Sequence, residues 1–316
     1  MNVAQLLQKG GSTIFSFEIL PPLKGTSIKQ VEKTIETLLE FDPKYINITT
    51  HHSENVFKKG KDGQMHKVKL RKRPGSVAIA AAIQNRYNIC AIPHMITSGF
   101  SKDETEYALI DLSYLGVTNL LILRGDCKRL DDEQRCLGSH KHATGLQEQV
   151  NNFNKGISID DSELPIPRRP FTYGMACYPE LHEESPNMDS EIFYTKMKAD
   201  NGAGYLVTQM FYDNQKYFDF VDRCRAAGIT IPIVPGVKPI NLKNQVDVLP
   251  QIFKTELPPD LDQALRACKT DEEAVEVGIE WGIQQSKELK QRGVPGIHYY
   301  TLGATESVRR IAQEVY

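Results

Sequence analysis

The run TIFSFEILPPLKG, residues 13–25, carries the first strand pattern of the chain and bears on which of two α/β architectures it adopts. Phe15, Phe17 and Ile19 alternate with Ser16 and Glu18, the period of two of a β-strand. A doubly wound nucleotide-binding sheet follows such a strand with a glycine-rich turn, because the backbone must approach a pyrophosphate closely. Here the strand stops at Pro21-Pro22, and no GxGxxG follows. The same alternation predicts that Glu18 points inward with Ser16, a carboxyl group in an apolar strand where ionisation is costly.

Working outward, apolar β-branched runs recur at Lys44–Thr49, Asn88–Ile96, Asn119–Leu123, Phe171–Cys177, Tyr205–Phe211, Ile229–Val234 and Ile297–Thr301. Helix-period segments separate them, such as Ile28, Val31, Ile35, Leu38 and Leu39 on one face. Ser101-x-x-Glu104 and Thr270-x-x-Glu273 read as capping boxes, and Gly293 as a helix stop. Eight strands alternating with helices predict a (β/α)8 TIM barrel, a single catalytic domain over 1–316. Loop insertions are expected at 127–142 and 151–169, where the rhythm breaks. NGAGY at 201–205 precedes a strand at the wrong spacing for a dinucleotide turn and reads as a helix-to-strand connection.

Thirty-eight basic against forty acidic residues leave a net charge of −2, so bulk electrostatics favours neither nucleic acid nor an anionic membrane, and a small molecule is the expected ligand. The start of the chain has no basic segment leading into a long apolar one, no later run is long enough to span a membrane, and a cytoplasmic location is expected. Six cysteines without CxxC pairs fit reduced thiols. Cys127, Cys136, His140 and His142 are spaced C-x8-C-x3-H-x-H, which is not a zinc pattern, and no metal is expected.

A TIM barrel builds its site at the carboxyl ends of its strands. Glu18, Thr49, His94, Arg124, Gly125, Asp126, Tyr178, His182, Gln209 and Tyr300 fall there or in the loops that follow. His94 equally suits a core histidine satisfied by a backbone carbonyl, and Glu18 equally suits a salt bridge to Arg124. His51-His52 reads as a solvated loop.

The segments FSFEILPP, INITT, AIPHMITS, LLILRGD, ACYPELH, KMKADNGAGYLVTQMFYD, IPIVPGVKPI and YYTL, in this order, resemble the flavin-dependent 5,10-methylenetetrahydrofolate reductases in their short bacterial form. The resemblance implies a barrel that binds FAD and takes NADH or NADPH and a folate as substrates in a ping-pong reaction feeding methionine synthesis, in a homo-oligomer. It implies Glu18 as general acid, and Thr49, His94, Arg124, Gly125, Asp126, Ala143, Tyr178, His182 and Lys198 as the FAD site. Asp126 would lie between flavin and pterin, and Gln209 and Tyr300 would contact substrate.

Two places depart from that pattern. The family's second strand continues into Tyr-Gly-Ala, where this chain has Thr50-His51-His52, and an Asn-Arg pair after YTL is replaced by Gly303-Ala304. Lys238 and Arg309 are the candidate cations in place of the missing arginine. The rival readings are another FAD-dependent barrel dehydrogenase and a barrel that binds folate without reducing it.

Overall fold

The computed structural model describes residues 1–125 and 139–316. The chain runs α1 (Val3–Gln8), β1 (Ile14–Ile19), α2 (Lys29–Leu38), a 3-10 turn at Leu39–Phe41, β2 (Tyr45–Ile48), β3 (Glu54–Lys59), β4 (Met65–Leu70), α3 (Ser76–Tyr87), β5 (Cys90–Ile96), α4 (Lys102–Tyr114) and β6 (Asn119–Leu123). It continues with α5 (Ala143–Asn154), β7 (Thr172–Cys177), α6 (Met188–Asp200), β8 (Tyr205–Thr208), α7 (Asn214–Ala226), β9 (Ile233–Val234) and β10 (Gly236–Val237). Helices α8 (Gln245–Phe253), α9 (Pro259–Ala267) and α10 (Asp271–Gln291), strand β11 (Gly296–Tyr300) and helix α11 (Thr305–Val315) complete it.

Nine strands form one sheet in the order β10-β11-β1-β2-β5-β6-β7-β8-β9. The ends of that order, β9 and β10, are separated in the chain by Pro235 alone, so this is a nearly closed parallel α/β barrel with interleaved helices. All eight expected strand positions are occupied, the seventh by the two-residue β9, with β10 just beyond the expected range. Contacts divide the chain into two compact units, Met1–Leu20 with Glu32–Asn47 and Thr172–Tyr316, and Pro21–Val31 with Ile48–Phe171.

In the first unit β1 is buried on both faces, as parallel strands in barrels are. It lies in register with β11 from Ile14 opposite Gly296 to Glu18 opposite Tyr300. Phe15 meets Phe41, Tyr299 and Tyr316 on the outer side, with ring centroids 5.5, 5.4 and 5.2 Å away. On the inner side the Ser16 hydroxyl lies 3.0 Å from His298 Nδ1. Helix α10 starts at Thr270, whose side chain accepts from the Glu273 N–H, while the Glu273 carboxylate turns back to the N–H of Lys269, one residue short of a full box. It ends before Gly293, at φ +73.

In the second unit α4 carries the complete capping box of Ser101 and Glu104. The stretch expected as a loop from residue 151 opens with the last turn of α5. Beyond it, Glu106 accepts from the Ser158 hydroxyl and the Ile159 N–H, and Asn154 exchanges two hydrogen bonds with the Phe171 backbone, at 2.9 and 2.8 Å. His51-His52 lie in an irregular stretch as expected, and beyond it the chain forms an antiparallel hairpin that the sequence reading did not anticipate, β3 with β4, from Glu54 opposite Leu70 to Lys59 opposite Met65. Residues 126–138, which include Asp126, Cys127 and Cys136, lie outside the described residues.

Candidate active site

The first unit holds Glu18, Tyr178, His182, Lys198, Gln209 and Tyr300, half of the groups singled out. Glu18 ends β1 only 5% exposed, and burial pushes its carboxyl up to about 8 against the opposing pull of the Lys238 ammonium. At neutral pH it is therefore a buried, protonated acid. Its backbone carbonyl accepts from the Thr301 hydroxyl. Tyr300 donates its phenol proton to the Thr208 carbonyl at 2.5 Å, its ring against Gly236, where a Cβ would come within 2.5 Å of the ring. That close approach is why the seventh strand needs a glycine there. Gln209 accepts from the Met210 N–H at 2.9 Å through its side-chain oxygen, which leaves the amide NH2 to donate.

Tyr178, His182 and Lys198 form a second group in this unit. The rings of Tyr178 and His182 are 4.7 Å apart edge to face, and Lys198 Nζ lies 5.7 Å over the Tyr178 ring. Lys198 donates to the Ala176 carbonyl at 2.8 Å, and burial holds its ammonium below the usual lysine range, with Glu191 opposing. His182 Nδ1 accepts from the Glu184 N–H, so a neutral ring carries its proton on Nε2. Leu181 before it takes a left-handed φ of +82, backbone strain held by the Glu191 carboxylate, which accepts from the His182 N–H and the Ser185 hydroxyl.

In the second unit Thr49 follows β2, His94 lies on β5, Arg124 and Gly125 follow β6, and Ala143 opens α5. His94 is buried, and desolvation, with His51 adding to it, lowers its imidazole to about 3, so it is neutral. Its backbone carbonyl accepts from Thr50 Oγ1 at 2.5 Å, and with Thr50, Arg71 and Ser76 it lines a cavity of about 430 Å³. Gly125 has φ +83, and a Cβ there would stand 2.2 Å from the Ser98 hydroxyl. That hydroxyl is buried and has no hydrogen-bond partner among the described residues. Sequence reasoning passed over Ser98 although it closes the AIPHMITS segment, because a serine at a strand end is unremarkable until its hydroxyl is seen unpaired.

Of the two cations considered in place of the missing arginine, Arg309 is engaged on the outside of α11 with Glu306, at 2.8 Å, and with Glu40. Lys238 is buried at the end of β10. Ala304, in the arginine's position, is itself buried, in a tight turn where its N–H donates to the Thr301 carbonyl and Gly303 has φ +96. Ala304→Arg is therefore expected to lower stability by about 1–3 kcal/mol through overpacking, read as a lower urea midpoint. An unchanged midpoint would show that the turn opens to admit the side chain.

Among the described residues no group of three or more His, Cys, Asp or Glu side chains is arranged to hold a metal ion, and no helix is long and apolar enough to cross a membrane.

Fold and site together define a TIM-barrel-like α/β protein with its titratable groups gathered at strand ends. A family model for methylenetetrahydrofolate reductase matches residues 2–316, and the chain belongs to that family. It is 28% identical over 308 residues to methylenetetrahydrofolate reductase (NADH) 1 of Arabidopsis thaliana, covering 94% of this chain and 47% of the relative. The chain thus spans about half the length of the plant relatives it matches. Against 5,10-methylenetetrahydrofolate reductase of Escherichia coli it is 26% identical, over 95% of this chain and 90% of the relative. Among solved structures, an uncharacterized protein from Clostridium thermocellum that binds two copies of 5-methyl-5,6,7,8-tetrahydrofolic acid matches with a TM-score of 0.57 at 14% identity, over 98% of this chain and 97% of that one, a likeness of fold.

Proposed function

We propose that this protein reduces 5,10-methylenetetrahydrofolate to 5-methyltetrahydrofolate with NADH or NADPH through bound FAD. The observation that carries the reading is Glu18: a protonated carboxyl at neutral pH, at the end of a barrel strand, is what opening the methylene bridge requires, because the departing folate nitrogen must be protonated.

The residues fit a flavin dinucleotide. Lys198 is a buried ammonium that donates to the Ala176 carbonyl, a cation suited to a phosphate, and His182 carries its Nε2 proton beside the Tyr178 ring. In the second unit, taken by itself, the unpaired Ser98 hydroxyl beside Gly125 offers a hydrogen bond, and the family pattern also assigns Thr49, His94, Arg124, Gly125 and Ala143 to FAD. When bound, FAD supplies the relay by which the hydride of a reduced nicotinamide reaches the one-carbon unit. Gln209 orients pterin and nicotinamide in turn through its amide, Tyr300 walls the substrate space, and Asp126 disfavours added negative charge on the cofactor.

Anaerobic bleaching of the yellow protein by NADH or NADPH, followed by recolouring with methylenetetrahydrofolate, tests the proposal. Bleaching without recolouring would leave a different flavin barrel dehydrogenase. Lys198→Met is expected to weaken FAD retention by roughly tenfold or more, as loss of a charge-assisted hydrogen bond to phosphate does. The 450 nm to 280 nm absorbance ratio of the purified protein reads it, and a ratio equal to wild type would remove Lys198 from the cofactor site.

A further inference from the structure

The register of three parallel strands sets an acid, a phenol and an ammonium in one row. Glu18 on β1 is level with Tyr300 on β11, and Gly236 and Val237 on β10 are level with His298 and Tyr299. Lys238 directly follows Val237 and so comes level with Tyr300. Residues level with one another in a parallel sheet face the same way, so Glu18, Tyr300 and Lys238 share the inner face one row beyond Ser16 and His298. Lys238 is only 7% exposed, and burial lowers its ammonium below the usual lysine range while Glu18 opposes that. Burying an ammonium is costly, and a lysine is an odd choice merely to fill space at a strand end.

We propose that Lys238 is the positioning residue of the acid: its ammonium stabilises the carboxylate that Glu18 becomes on giving up its proton. The inference rests on the folate reading above. In the step concerned, the bond from the methylene carbon to the departing folate nitrogen breaks, its electron pair goes to that nitrogen, and the nitrogen takes the Glu18 proton. The hydride that the carbon then takes would come from the reduced cofactor when it is bound. Negative charge appears on Glu18 at that moment, inside a site too dry to solvate it, and a fixed cation in the same row is what makes the proton transferable. Burial and Lys238 act on the Glu18 carboxyl in opposite directions, the first raising its proton affinity and the second restraining the rise. Tyr300, level with it, feels Glu18, the Cys177 thiol, Tyr178 and Tyr45, and His298 lies in the row beneath. Lys238 is the charged group that pulls the acid down against burial.

The test uses Lys238→Met, which keeps the length of the side chain and removes the charge, with Lys238→Arg as the conservative control. In the purified protein, the infrared C=O band of the protonated Glu18 carboxyl is identified by its absence in Glu18→Gln and titrated against pH. The wild-type midpoint is expected at about 8. Removing an opposite charge at this range moves it up by roughly one pH unit or more in Lys238→Met, whereas Lys238→Arg holds it near wild type. In stopped flow, Lys238→Met slows flavin reoxidation by methylenetetrahydrofolate by roughly tenfold or more, leaves bleaching by NADH within a small factor, and costs nothing further in a Glu18→Gln background. An unmoved infrared midpoint, or equal losses in both half-reactions that add to those of Glu18→Gln, overturns the proposal. If wild type itself fails to reoxidise with the folate, the functional reading has failed, and the infrared titration still decides whether Lys238 governs Glu18.

Discussion

Glu18→Gln is expected to leave flavin bleaching by NADH within a small factor of wild type and to slow reoxidation by methylenetetrahydrofolate by about a hundredfold or more. Glutamine keeps the shape and the hydrogen-bonding capacity of the side chain but has no proton to deliver, and hydride transfer from a nicotinamide needs none. In wild type the folate half-reaction falls as pH rises through about 8, where the acid ionises. The same residue leaves a mark on stability. Its native value is raised above the unfolded one, so the protonated carboxyl's contribution is complete below pH 4.5 and is lost as pH rises to about 8. Glu18→Gln abolishes that loss, so its melting temperature relative to wild type is higher at pH 9 than at pH 5. Equal impairment of both half-reactions, with no pH-dependent change in relative stability, would mark Glu18 as a structural residue.

Gly278→Ala is expected to cost about 2–3 kcal/mol, while Gly282→Ala four residues on costs little. A Cβ on Gly278 would stand 2.1 Å from the Ile240 carbonyl oxygen and 2.9 and 3.0 Å from its carbonyl carbon and nitrogen. Those are backbone atoms of the segment that leaves β10, and they cannot move aside without moving the segment. At Gly282 the obstacle is Ile311 Cδ1 at 2.5 Å, the far end of a flexible side chain. Alanine gains about 1 kcal/mol in helix propensity at both sites, which offsets a rotamer change but not a displaced strand end. Ile240 lies two residues beyond Lys238, so Gly278→Ala also displaces the ammonium from the row it shares with Glu18. Urea unfolding checks the first effect, and the infrared midpoint of Glu18 the second. Equal urea midpoints for the two alanine variants would show that α10 shifts away from β10 at little cost.

The eight strand positions were legible because buried parallel strands are continuous apolar runs, and such runs stand out from amphipathic helices by period and length. The hairpin of β3 and β4 was not. Phe57, Met65 and Val68 are exposed on it; Phe57 and Met65 share a face with Lys59, Lys67 and Lys69, and Val56, Val68 and Leu70 share the other with Glu54, Lys58 and His66, so neither face reads as cleanly apolar, although Lys61-Asp62-Gly63 marks the turn where Gly63 takes φ +79. The second capping box was half legible: sequence spacing locates Thr270 and Glu273, but not which N–H each side chain finds.

For the site, parity along TIFSFEILPP by itself determined that Glu18 shares a face with Ser16 at a strand's end, because alternation is a property of the extended backbone and needs no neighbours. That Glu18 is protonated at neutral pH, that Lys238 stands in its row, and that Tyr300 leans over Gly236 were decided only by the tertiary structure. Burial and register between strands nearly three hundred residues apart in the chain, as β1 and β11 are, arise from packing, and no local pattern encodes the electrostatic environment that packing creates.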